Sequence, residues 1–264
     1  MTSVKVETTD DVAVVTMANP PANLFNRELM AGLREVFRGA ESDGARAMVL
    51  RSDGALFSGG ADVEMFKGTS PAEARSMFAE GFELIEAIEE APFPVIAAVQ
   101  GLCLAAGLEI ALACDLIVAA EGTQFAQVEA KIGAATFLGG AYRLAQRAGT
   151  ARAFEITFSG EYFDAATFER WNIVNRVVPA GELDARALQW ARRLAAGPTA
   201  AHAVTKRLVH HATDQGVRET DHYLLDAATP LFATRDLQHA VNLLLAQGAR
   251  EFMARHDEVV FEGH

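Results

Sequence analysis

The most constraining stretch of the sequence is Val95-Ile96-Ala97-Ala98-Val99, apolar at every position and bounded by Pro94 and Gln100. A strand with one wet face alternates apolar and polar residues. An unbroken apolar run of strand length must be covered on both faces, as strands of parallel sheets are. Gly101 then breaks the chain, Ala105 to Ala113 reads as a helix, and Asp115 to Ala120 as the next strand. Strand, turn, helix and strand in that order predict an α/β layered fold. Upstream, alternation over Val4 to Glu7 and the β-branched run Val12 to Met17 predict a hairpin, which Asn19-Pro20-Pro21 ends. Leu29, Leu33, Val36 and Phe37 at helical spacing place a helix over 27–40, and Ala47 to Arg51 reads as a short buried strand. Ser70-Pro71-Ala72-Glu73 combines an N-cap, a proline at the first helical position and an acidic N3, starting a helix that runs to about Glu90. From Ala165 onward the pattern turns helical, over 165–170, 183–196, 199–212, 215–228 and 236–254.

Charge narrows the function classes. The 264 residues carry 23 Lys plus Arg against 35 Asp plus Glu, a net charge of −12. A duplex or an anionic membrane needs a basic footprint, so neither nucleic acid nor membrane is an expected partner. Val95 to Ala120 is the longest apolar-leaning run, but Gln100, Glu109 and Asp115 interrupt it, so it fails as a membrane span. The N-terminus has no apolar region behind a basic start, and a cytoplasmic location is expected. Cys103 and Cys114 read as buried apolar fillers suited to a reducing compartment. All seven histidines lie at position 202 or beyond, with no H-E-x-x-H pattern, so no metal site is expected.

Two loops and two carboxylates stand out as chemistry. Phe57-Ser58-Gly59-Gly60-Ala61-Asp62 follows a predicted strand, and its paired glycines either free N–H groups for a ligand or form a simple surface turn. It fits neither the dinucleotide fingerprint nor a nucleotide P-loop, and Ser58 lacks the nucleophile elbow of a serine hydrolase. Gly101 to Gly107 is a run of small residues ahead of a helix, which suits an oxyanion at a bare helix N-terminus or close helix-on-strand packing. Glu109 is the lone charge between Gly101 and Cys114. Burial there would raise its pKa into an acid/base range unless it is structurally paired. Glu129 is a second candidate, with Lys131 nearby allowing a solvated-loop reading.

Taken together, these segments resemble the crotonase (enoyl-CoA hydratase/isomerase) superfamily over nearly the whole chain. Asn19 to Leu24, Phe57 to Asp62, Pro94 to Gly101, Ala113 to Leu116 and Phe125 to Glu129 match the family's blocks in order. The resemblance implies a ββα superhelical α/β core over 1–195 and a helical annex over 196–264 that covers an active site and joins subunits into a homotrimer or dimer of trimers. It implies an acyl-CoA thioester substrate, with coenzyme A entering as part of that substrate and no separate cofactor. The carry-over puts the oxyanion donors on the backbone of Ala61 and Ala106, and acid/base work on Glu109 and Glu129. It puts substrate contacts at Gly59, Gly60, Asp62, Gly107 and Phe137. The implied reaction is hydration of a 2-enoyl-CoA. The alternatives are a Δ3,Δ2-enoyl-CoA isomerase, a catalytically weak acyl-CoA binder, or another enolate reaction such as decarboxylation or thioester hydrolysis.

The chain departs from the family pattern in several places. The glycine-rich oxyanion triplet reads Ala105-Ala106-Gly107, Val128 replaces the proline before Glu129, and Phe137 stands where similar enzymes keep a small residue beside the acyl pocket. Asn172 takes a position usually held by glycine, and the acidic stretch near the C-terminus reads Asp236-Leu237-Gln238-His239-Ala240. In a −12 chain, Lys67, Lys131 and Arg143 are the candidate local cations for the CoA phosphates, and Glu64 stands where relatives often have lysine.

Overall fold

A computed structural model describes residues 3–264. The chain opens with the hairpin β1 (Val4–Thr9) and β2 (Val12–Met17), followed by α1 (Arg27–Gly39), β3 (Ala47–Ser52), α2 (Pro71–Glu89) and β4 (Val95–Val99). Next come β5 (Leu102–Leu104), α3 (Ala106–Ala113), β6 (Leu116–Ala120), β7 (Gln124–Ala126), α4 (Gly140–Ala148), α5 (Thr150–Ser159), β8 (Phe163–Asp164), α6 (Ala165–Arg170) and β9 (Arg176–Val178). The remainder is helical: α7 (Leu183–Ala195), α8 (Thr199–Gln215), α9 (Val217–Ala228), α10 (Arg235–Gln247) and α11 (Ala249–Ala254). None of the described helices is long and apolar enough to cross a membrane.

The larger sheet runs β1-β2-β3-β4-β6-β9, antiparallel only between β1 and β2. The unbroken apolar β4 lies inside it and is covered on both faces. Ile96 and Ala98 join Val14, Val49 and Val118 against Leu183, Ala187 and Ala191 of α7. Val95, Ala97 and Val99 face the larger core with Leu33 of α1, Leu84 and Ile88 of α2 and Leu108 of α3. The predicted capping box of α2 forms, with Ser70 N–H donating to Glu73 Oε2 at 2.9 Å and Glu73 N–H to Ser70 Oγ at 3.4 Å.

The smaller sheet, β5-β7-β8, explains how the chain winds. After β4 it turns at Gly101, enters the small sheet as β5, passes through α3, and returns as β6 and then β7. Gly101 has φ +64, and a Cβ there would stand 2.1 Å from the Ala55 carbonyl oxygen, so only glycine makes this corner. The previous coil touches the same sheet: Ser58 N–H donates to Leu102 O at 3.1 Å, and Leu104 N–H donates to Ser58 O at 3.0 Å. Ser58, Cys103 and Phe125 therefore face one another across three successive coils.

The region expected to be helical from Ala165 onward also contains the edge strand β9. The helix expected over 236–254 is broken at Gly248, whose φ of +79 separates α10 from α11. The chain after α7 is tied back by side chains. Arg46 donates to Gly197 O and Thr199 Oγ1, and Lys206 of α8 donates to Ile88 O and Asp115 Oδ2. Both cysteines are free thiols buried in the core.

Candidate active site

The two loops singled out in the sequence meet because their coils are hydrogen-bonded neighbours. The Ser58 hydroxyl donates to Asn23 O at 2.7 Å and accepts from Gly60 N–H at 3.0 Å, fixing the Gly59-Gly60 turn from behind. Gly60 has φ +101, and a Cβ there would come 2.9 Å from Ala105 Cβ and 3.2 Å from Leu104 O. A Cβ on Gly107 would come 2.7 Å from Ser58 Cβ. The glycines thus allow the two loops to close to van der Waals contact. Ala105 turns the second loop with φ +48 and ψ −121, a conformation that costs a residue with a side chain about 1–3 kcal/mol. Its N–H is held by Ala126 O at 2.9 Å, and α3 starts at the next residue.

This arrangement leaves the N–H groups of Ala61 and Ala106 without a protein acceptor among the described residues. Both residues line one apolar cavity of about 180 Å³, together with Glu109, Glu129, Met30, Met65, Met77, Phe78 and Phe137. An unpartnered N–H at the first residue of a helix adds the positive end of its dipole, so the pair suits an oxygen that gains negative charge.

Glu109 projects from α3 and is 2% exposed. Its Oε1 accepts from Leu138 N–H and Gly140 N–H, each at 2.8 Å, while Oε2 accepts from no protein group among the described residues. Burial pushes its pKa to about 7 despite those two bonds and the nearby Arg143, all of which favour the charged form. Glu129 begins the short 3₁₀ turn Glu129–Ile132 and is 9% exposed. Burial also pushes its carboxyl to about 7, with its own backbone N–H opposing and the charge of Glu109 adding to the rise. Gln127 is fully buried beside it. With its nitrogen oriented toward Glu129, the amide donates to Oε1 at 2.9 Å and Oε2 at 3.1 Å, whereas the reverse orientation sets oxygen against oxygen.

Of the sequence candidates, Gly59, Ala61, Ala106, Glu109, Glu129 and Phe137 line the cavity. Gly60 and Gly107 lie behind it as the contact between loops. The Asp62 carboxylate accepts from Glu64 N–H at 3.1 Å and caps the 3₁₀ turn Val63–Phe66. Arg143 is not a free surface cation: it pairs with Glu89 at 2.7 Å and donates to Leu138 O at 3.1 Å, bracing the loop that holds Glu109. Lys67 and Lys131 are exposed, the latter 5.3 Å from the ring of Tyr162. Sequence reasoning missed Gln127 and the donors at Leu138 and Gly140. The Leu138-Gly139-Gly140 run, with Gly139 at φ +91, was the available sign of a turn able to present them.

The same chain pattern occurs in known proteins. The family model described as enoyl-CoA hydratase/isomerase matches residues 7–253. A protein of Rhizobium meliloti (strain 1021) named probable enoyl-CoA hydratase is 32% identical over 253 residues, covering 95% of this chain and 97% of the relative. The structure of Pseudomonas aeruginosa DspI superposes with a TM-score of 0.86 at 31% identity, covering 94% of this chain and 95% of that one. An enoyl-CoA hydratase structure from Polaromonas sp. JS666 superposes with a TM-score of 0.87 at 26% identity, covering 92% and 97%. Agreement of this extent, in coil order as well as in sequence, makes the chain a member of the enoyl-CoA hydratase/isomerase family carrying the crotonase fold.

Proposed function

We propose that the protein is a 2-enoyl-CoA hydratase, with the site residues in the roles that follow. The thioester carbonyl oxygen sits between Ala61 N–H and Ala106 N–H, which stabilise it as it becomes an enolate oxygen. A donor so placed is typically worth about 3–4 kcal/mol in the transition state. Water lies between the two carboxyl groups. Its oxygen bonds to Cβ, Glu109 takes one of its protons, and Glu129 delivers a proton to Cα on the same face. One proton passing from Glu109 to Glu129 afterwards restores both groups.

The observation that carries this reading is the juxtaposition of two buried carboxyls, each pushed to about 7, with two unpartnered N–H groups in one apolar cavity. Groups with pKa near the working pH are the efficient proton donors and acceptors. An isomerase needs one carboxylate to carry a proton between carbons, whereas addition of water uses both. The test is a panel of 2-enoyl and 3-enoyl CoA thioesters followed by loss or gain of the conjugated chromophore. Hydration of crotonyl-CoA that Glu109→Gln and Glu129→Gln each lower by orders of magnitude supports the proposal. Conversion of 3-enoyl substrates without hydration would make the protein an isomerase, and binding without turnover a carrier.

The trimer implied by the family resemblance is likewise a proposal. Exposed Leu225, Phe232 and Leu245 along α9 to α10 support it, because apolar side chains of this size favour cover. Light scattering after size-exclusion chromatography measures the assembly.

A further inference from the structure

The catalytic cavity has a neighbour. A second cavity of about 270 Å³ lies against it, and Phe66, Met77, Phe78, Ile132, Ala134 and Phe137 line both. The partition is aromatic and comes from three separate segments. Phe137 stacks on Phe78 of α2 with centroids 4.4 Å apart and planes at 22°. Phe66, from the 3₁₀ turn Val63–Phe66, meets the Phe137 ring edge to face at 6.1 Å. Phe137 directly precedes Leu138, whose N–H holds Glu109, so the partition stands immediately beside the reacting centre. Beyond it the second cavity adds only Thr69 and Ala74 to a shared lining that is otherwise apolar throughout.

From this geometry we infer that the Phe66–Phe78–Phe137 cluster is an acyl-length gate. It closes the inner chamber behind a short enoyl group, and removal of the Phe137 ring joins the chamber to the outer cavity and admits longer chains. The inference rests on the acyl thioester reading above. It concerns the ring itself, because a small residue at position 137 would leave the two cavities continuous.

The test uses binding, which does not depend on turnover. Butyryl-, hexanoyl-, octanoyl- and decanoyl-CoA, saturated and unreactive, are titrated calorimetrically into the wild type and into Phe137→Ala. Burial of each additional methylene tightens binding about fourfold. The wild type should stop gaining affinity after the shortest chains, whereas the variant should keep gaining towards decanoyl. Phe66→Ala, which opens the same partition from another element, should show the same trend and replaces the first variant if that one does not fold. A wild type that gains steadily to decanoyl overturns the gate, as do folded variants whose length profile matches the wild type. In either case crotonyl-CoA hydration would still stand. Failure to bind any of the thioesters would overturn the acyl-CoA reading and the gate with it.

Discussion

Replacing Glu109 by glutamine should make the protein more stable at alkaline pH while disabling it. The carboxyl is 2% exposed, and burial moves its pKa from 4.5 to about 7. The folded protein therefore binds this proton more tightly than the unfolded chain does. The wild type accordingly loses stability as pH rises from near 4.5 through about 7, and the loss is complete above that. At about 1.4 kcal/mol per pH unit, this one group costs about 3 kcal/mol near pH 8 and under about 1 kcal/mol near pH 5. Glutamine has no charge to desolvate, and its amide oxygen can still accept from Leu138 N–H and Gly140 N–H. Urea unfolding at fixed protomer concentration, run at pH 5, 6, 7 and 8, measures the difference. The advantage of Glu109→Gln should grow with pH to about 3 kcal/mol. An advantage that does not change with pH, or a variant less stable than wild type at pH 8, would refute the assignment of a desolvated carboxylate.

The remaining predictions concern the reaction and its frame. Crotonyl-CoA hydration should follow a bell-shaped pH profile centred near 7, rising as Glu109 loses its proton and falling as Glu129 loses its own; a rate flat from pH 5 to 9 would count against both roles. Glu129→Gln should lower kcat by about 10²–10⁴ and remove the alkaline limb from whatever activity remains. Gly60→Ala should lower kcat by about 10²–10³ and reduce the melting temperature, because its Cβ would meet Ala105 and shift the peptide carrying Ala61 N–H. Ala105→Gly should raise the urea midpoint, since it relieves a backbone at φ +48 worth about 1 kcal/mol or more.

Much of the frame was legible because it rests on local chemistry. The covered faces of β4, the cap at Ser70 and the helical tail follow from apolar periodicity and capping residues. Helices α4 and α5 were not read from the sequence, since the residue capping each start is a glycine with no side chain to signal it, Gly139 and Gly149. The small sheet was equally hidden: its strands are two or three residues long, too short to display a period. At the site, a lone carboxylate in an apolar helix identified Glu109. What holds it lies 29 and 31 residues away, where the Leu138-Gly139-Gly140 run marks a turn but nothing in the sequence ties that turn to Glu109. Arg143 was misjudged for a related reason, since its partner Glu89 belongs to another helix and a cation in sequence carries no sign of being occupied.

The facing of Ser58, Cys103 and Phe125 acts as a ruler for the whole site. Ala61 lies three positions after Ser58, and Ala106 three positions after Cys103, on adjacent coils. Glu129 follows Phe125 by four, on the third. Donors and acid are thus reached at nearly the same offset on consecutive hydrogen-bonded coils, so their relative placement follows the register of the ladder rather than substrate-binding side chains. A one-residue insertion between Cys103 and Ala106 would put the two donors out of phase while leaving every catalytic side chain in the protein. The same insertion at the exposed turn around Gly122, before the ladder is reached, would have far less to disturb.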